Sequence, residues 1–552
     1  MKKFVRLFFN TLLLLVVQIF FHLFWSSASP FLTSIDAAEL ELFMANPEVR
    51  IAQKIYCQIK NVDPTDKLQA ILDGIAIFEK SANLQPEEIF VSDYQSLQAG
   101  NHRLLVQIQN VNNEIIAGQT REWTTLHNGI PKVGINEHNA ICINGIPYFP
   151  ITSWMLKKSD FDSPIASCIN ILLAVGWYEE HNIDTWKDYL AIAQTYDFYV
   201  AGPNRWDGFN KDDPRNSDTD KLIDYVMQTK NYTDNLIAWY WDDEPDLGDA
   251  DKYNPATTIH KWTRLTHQYD TNHPVWINFT GYNFTRNESR WHHDRIKEYC
   301  YLYNADKFEG EKTAVTDIFS IDYYPYEYAN KVNMSEWISL EDYALALDRA
   351  REWNYDLFPT IAFIETQDLH DYNGVGHDKP CGWPKDYSWT PDPTPEELNN
   401  LIWLSIVHGV KGLSLFHYFC PIPDENIEIL RNARYHIEHL TPVILGPDSK
   451  KGVSIQELNG GHVDIMVKEY HGNPFIFAVN IERKSETVRF TVEGLDTEKN
   501  IHIYNEERTI TVSGGYFEDS FEPLGVHIYI IPLGSRDIIP PKPPTGLQVR
   551  EK

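Results

Sequence analysis

Cysteine is scarce in this chain, 6 in 552 residues. Cys57, Cys142, Cys168, Cys300, Cys381 and Cys420 are scattered without metal-ligand spacing, and no two are marked as a disulfide pair. Positive charge is also short. Against 78 Asp and Glu stand 48 Lys and Arg, a formal net charge of −30. That deficit argues against nucleic acid or an anionic membrane surface as a partner. His370, Asp371, His377 and Asp378 fit no recognised metal spacing, and nothing in the chain calls for a metal or a cofactor.

Aromatic residues are plentiful, 13% of the chain with 16 Trp. Rings of this kind stack on pyranose faces, although large β-rich cores use them too. The N-terminus reads as a targeting segment. Lys2, Lys3 and Arg6 precede an apolar run from Leu7 to Trp25, and Ser26-Ser27-Ala28 offers a small-residue cleavage site. Residues 1–28 are therefore a signal peptide or, if uncleaved, a single-span anchor, the only membrane contact the sequence offers. Either way the body of the protein is expected to be exported.

Two strand-like runs end in acids. Leu236 to Trp241 is apolar and closes in Asp242-Asp243-Glu244-Pro245, where the proline stops the ladder. Pro359 to Ile364 likewise ends in Glu365. Strands that deliver acids from their C-terminal ends are how parallel β/α enzymes build sites. Two carboxyls so placed suit glycosidic cleavage, which needs a proton donor and a nucleophile or base. Three consecutive carboxylates on one strand point alternately, so they do not all face one ion.

Periodicity divides the chain. Residues 36–128 show short alternating runs with turn residues between them, the pattern of an immunoglobulin-like β-sandwich. Over 129–442 strand-like and helix-like segments alternate, which predicts βα units around a parallel sheet. Eight strands are expected: Tyr148–Trp154, Ile169–Trp177, Phe198–Gly202, Leu236–Trp241, Val275–Thr280, Ile318–Tyr324, Pro359–Glu365 and Gly412–Tyr418. Helix starts are marked by Asn254-Pro255, an N-cap with proline at the first helical position, and by the capping box Thr394-Pro395-Glu396-Glu397. Eight units over roughly 300 residues make a (β/α)8 barrel. Residues 443–534 return to all-strand patterning, a second β-sandwich with hairpin signals at Asn459-Gly460 and His471-Gly472-Asn473, and 535–552 are a proline-rich tail.

With these runs in order, the chain resembles the large clan of retaining glycoside hydrolases with a (β/α)8 barrel, which includes cellulases, β-mannanases and β-galactosidases. The resemblance covers most of the exported chain. It is carried by Ile143 to Pro150 entering the first strand, Trp239 to Pro245 at the fourth, Ile321-Asp322-Tyr323-Tyr324-Pro325 at the sixth, Glu365 at the seventh and Gly409-Val410-Lys411-Gly412 entering the eighth. It implies Glu244 as acid/base and Glu365 as nucleophile, acting by double displacement on a β-linked carbohydrate, with the two carboxyls about 5 Å apart. The clan usually has Asn before the acid/base, contacting the sugar 2-hydroxyl. Here that residue is Asp243, which accepts a hydrogen bond but does not donate one as an amide does.

Other expected site residues lie at or just past strand ends. Tyr323 and Tyr324 are candidates to hold Glu365 through a phenol, with a core ring at a strand end as the competing reading. Trp154, Trp177, Trp206, Trp241 and Tyr418 are candidates to stack on sugar, with packing between strand and helix equally open for each. His417 is a candidate for a hydroxyl contact. Asp322 is expected to pair with a neighbour. A catalytically silent carbohydrate-binding protein on the same scaffold is the alternative, against which the intact pair of glutamates argues.

Overall fold

The computed structural model describes residues 37–154, 156–176, 179–210, 214–229, 233–247, 253–286, 293–300, 314–326, 339–366, 393–416, 422–495 and 499–533. At its centre eight parallel strands close into a barrel: β1 (Ile151–Ser153), β2 (Ile171–Leu173), β3 (Tyr199–Pro203), β4 (Leu236–Asp243), β5 (Val275–Thr280), β6 (Ile318–Asp322), β7 (Thr360–Glu365) and β8 (Gly412–Phe416). Each pairs with the next in chain order, and β8 returns to β1 with Leu413 opposite Ile151. All eight expected strands are present, several trimmed by a few residues at their ends.

The strands are buried on both faces, as parallel strands between a barrel interior and a helical ring must be. Leu173, Ala201, Ala238, Tyr240, Trp276 and Phe363 form the inner layer. Leu172, Val200, Trp239, Trp241, Ile277 and Ile364 face outward into the larger core beneath the helices.

Those helices are α1 (Ile183–Tyr196), α2 (Thr219–Thr229), α3 (Ala256–Tyr269), α4 (Leu340–Glu352), α5 (Pro395–Val407) and α6 (Asp424–Ile444). The capping box expected at α5 is formed, with the Thr394 hydroxyl accepting from the Glu397 N–H and the Glu397 carboxylate from the Thr394 N–H. At α3 the expected cap is not formed. Pro255 occupies the N-cap position, and the Asn254 side chain donates instead to Asp242 at 3.0 Å. Among the described residues no helix is long and apolar enough to cross a membrane.

Antiparallel sheets flank the barrel in sequence. Contacts divide the described chain into two units. In the first, Lys67–Leu72 pairs with Ile75–Ser81 and with residues 104–109, and its Leu68, Ala70 and Leu72 alternate inward. The second unit holds the barrel and the C-terminal sheets. One of these sheets runs Val453–Glu457, Glu486–Val492, Tyr516–Phe521, and the other is five-stranded. The hairpin signal at His471-Gly472 becomes a two-residue loop, both residues at positive φ (51° and 78°), between strands that pair Tyr470 with Asn473.

Helix α5 also carries the C-terminal sheets. Asn400, fully buried, donates to the carbonyls of Asn480 and Leu524 at 2.8 and 3.0 Å. Trp403 stacks near Phe477, and Arg483 reaches Glu397 at 2.5 Å. Asn400→Ala strips donors from two buried carbonyls. The expected loss is about 2–4 kcal/mol of stability, read as a lowered calorimetric Tm.

Candidate active site

The site is assembled at the C-terminal ends of β4 to β7. In β4, Trp239 and Trp241 stack on the outer side, 5.3 Å apart, with their indole N–H groups bound to Asp270 and to the Thr266 hydroxyl. The ladder with β5 then slips between Tyr240 and Asp243, so that Asp243 stands opposite Asn278. A bulge of this kind re-aims the side chains that follow it. Asp243 joins Tyr240 on the inner side, accepting from the Tyr240 hydroxyl at 2.9 Å, from the Asn278 amide at 3.0 Å and from Trp154. Asp242 turns away, accepting from Asn254 and from the Asp243 N–H.

Glu244 follows in the left-handed region at φ 51°, a costly backbone state for a residue with a side chain. It is held there by its own N–H, which donates to the Asn278 carbonyl at 2.9 Å. The Thr280 hydroxyl donates to its Oε1 at 3.2 Å, and its carboxyl is hydrogen-bonded to that of Asp322 at the end of β6. Asp246 completes the group, fully buried and held by the Thr280 N–H and the Asn283 amide. The three consecutive acids thus face three different settings.

Enclosure and crowding of like charge set the protonation. Burial, then the negative Asp243, push Glu244 up to about 8. Burial, then the Glu244 charge, lift Asp322 well above the carboxylate range. Burial raises Asp242 and Asp246 to about 6 each, with the Arg205 guanidinium opposing the shift of Asp242. Between about pH 4.5 and 8 the folded protein therefore holds a proton on Glu244 that the unfolded chain has released, so stability falls as pH rises through that window. Glu244→Gln removes the penalty. Its stability advantage over wild type is expected to grow from pH 5 to pH 8 by on the order of 2 kcal/mol, measured by denaturant unfolding at each pH.

Glu365 ends β7 with 1% exposure and accepts the Tyr326 N–H at 2.9 Å. The segment Asp322–Tyr326 after β6 thus touches both glutamates, Glu244 through Asp322 and Glu365 through the Tyr326 backbone.

No protein-family model matches the chain, and no curated protein matches it by sequence. Solved structures do match. A GH30 endoxylanase from Clostridium papyrosolvens is 12% identical, with a TM-score of 0.38 over 69% of this chain and 95% of that one. The β-glucuronidases of Lactobacillus rhamnosus and Bacteroides uniformis are 12% and 11% identical, each with a TM-score of 0.33, over 69% and 91% of this chain. All three are glycoside hydrolases by name. This chain spans 61% and 58% of the lengths of the two glucuronidases.

Of the expected sugar-stacking residues, Trp154 lies in the inner layer, stacked on Phe416 at 5.4 Å with its indole N–H on Asp243. Trp206 and Trp241 do not present a face to the barrel mouth. Both are buried on the outer side, edge to face at 5.5 Å, and Trp206 also packs on Trp262 of α3. Packing between strand and helix is their role. Tyr323 is also placed outward, between Tyr282 and Tyr343, with its hydroxyl on Thr285 at 3.1 Å, so it is not the phenol that holds Glu365. Tyr324 faces inward against Phe416, its buried hydroxyl with no hydrogen-bond partner among the described residues. Trp177, His417 and Tyr418 lie outside the described residues. Sequence reasoning passed over Asn278 and Thr280 of β5, which bind the acids of β4, and Tyr326, whose backbone rather than its side chain does the binding. The polar positions in the otherwise apolar run Val275–Thr280 were the available signal for the first two.

Proposed function

We propose that this chain is an exported retaining glycoside hydrolase that cleaves β-glycosidic bonds in an oligo- or polysaccharide. The observation that carries the reading is the placement of Glu244 directly after β4, against the Asp322 carboxyl and beside Asp243, in a barrel that carries a second glutamate at the end of β7. A general acid needs its proton at the working pH, and the crowded acids around Glu244 supply that condition.

Glu365 attacks the anomeric carbon as the Glu244 proton passes to the departing oxygen, forming a glycosyl-enzyme. Glu244, now ionised, takes a proton from water, whose oxygen displaces Glu365 and restores both groups. Asp243 is fixed on the inner side by three donors, and its role in this reading is to accept from a sugar hydroxyl. Export rests on the N-terminal segment.

The test is a screen of aryl glycosides and polysaccharides on purified protein, followed by NMR of the first-formed anomer. Net retention with a β-glycoside is expected. Inversion would point to a pair of carboxyls about 6.5–9.5 Å apart and remove the nucleophile role from Glu365. Carbohydrate binding without any turnover would favour the silent alternative.

A further inference from the structure

The Glu244 and Asp322 carboxyls are in hydrogen-bonding contact. An ionised carboxylate only accepts, so two of them in contact require a proton between them. The surroundings decide which group keeps it. Glu244 has a second donor, the Thr280 hydroxyl, on its Oε1. Asp322 sits opposite Thr280 in the β5–β6 ladder, 8% exposed, and among the described residues no hydroxyl or N–H donates to its Oδ1. A carboxylate with an orphaned buried oxygen is the poorer anion, and one accepting from a hydroxyl is the better.

The other groups facing the pair favour the same order. From β4 and its loop come Asp243 and Asp246, both acidic. From the segment after β6 comes the neutral Tyr324 phenol, which also feels Asp322, Glu244 and Asp243. The basic group Arg205 acts on Asp242 and Asp243, and Arg295 on Asp246. Glu365, on β7, is joined to the segment after β6 through Tyr326.

We infer that Asp322 is a positioning residue that stays a neutral carboxylic acid throughout turnover and donates its hydrogen bond to Glu244. The inference deepens, and rests on, the reading of Glu244 as acid/base. In the first step the Glu244 O–H bond breaks and its proton goes to the glycosidic oxygen. The bond from the anomeric carbon to that oxygen breaks as a Glu365 oxygen bonds to the carbon. The Asp322 O–H bond stays intact, and its hydrogen bond strengthens as charge develops on Glu244. The direction of the Asp322 shift agrees, since the charge on Glu244 holds the Asp322 proton on.

The sign of the effect is specific. A neutral donor lowers the affinity of Glu244 for its proton, whereas an anionic neighbour would raise it. Asp322→Asn keeps the shape and a donor, and Asp322→Ala removes both. With a poor leaving group, kcat/KM in Asp322→Ala is expected to fall on the order of 10–100-fold, with the basic limb of its pH profile moved upward. Asp322→Asn is expected to stay within a few-fold of wild type, its limb within roughly half a pH unit. Equal losses in both variants, or a limb that moves downward in Asp322→Ala, would overturn the inference. So would no change in either. If wild type hydrolyses no glycoside, the functional reading fails but Asp322 is still tested by infrared spectroscopy. A protonated-carboxyl C=O band that persists above pH 8 in wild type and is absent from Asp322→Asn supports the neutral acid, and its absence from wild type rejects it.

Discussion

Glu365→Ala is expected to lower turnover by roughly 10⁴-fold or more, with recovery in azide as a glycosyl azide of inverted configuration. The residue is almost fully enclosed and its carboxylate accepts a backbone N–H. Alanine leaves space beside the anomeric carbon, and a small anion fills it. The azide adduct inverts because it forms in one displacement and no second step reverses it. The measurement is product analysis by NMR with an activated aryl glycoside, with and without azide. Wild-type turnover in the variant would remove Glu365 from the chemistry.

Glu244→Ala is expected to reduce kcat/KM about 10²–10⁴-fold for substrates with poor leaving groups, and far less for activated aryl glycosides. A good leaving group departs without a proton, so only the poor one depends on the acid. Wild-type activity should fall as pH rises through about 8, where Glu244 releases its proton, and that limb should vanish in the variant. Profiles of both substrate types across pH decide the matter. Equal losses with the basic limb intact would shift attention to Asp242 or Asp243.

The barrel was legible because apolar runs of strand length recur between helix signals, and Leu236–Trp241 shows why the legibility stopped there. A strand buried on both faces carries no alternation of polar and apolar residues, so its phase is hidden. Nothing in the order Trp239-Tyr240-Trp241 marks Tyr240 as the inward ring, and the slip that brings Asp243 inward leaves no mark in composition. Tyr326 was unreadable for a different reason. Every residue but proline carries a backbone N–H, and only the path of the chain after β6 aims this one at Glu365. At Asn254 the local signal was real but met a stronger claim. Its amide satisfies a buried carboxylate rather than the open end of α3.

The buried amides of Asn278 and Asn283 bear on the choice of production host. Each heads an Asn-x-Thr triplet, Asn278-Phe279-Thr280 and Asn283-Phe284-Thr285, and each is 1% exposed with its amide on a site carboxylate. A yeast or mammalian secretory route meets these triplets on the nascent chain, before burial hides them. A glycan on either nitrogen replaces a hydrogen that holds Asp243 or Asp246 and has no room around a side chain that is almost fully enclosed. Yield of active protein by that route is therefore set by a race between sugar transfer and folding, a race absent in a host without the transferase.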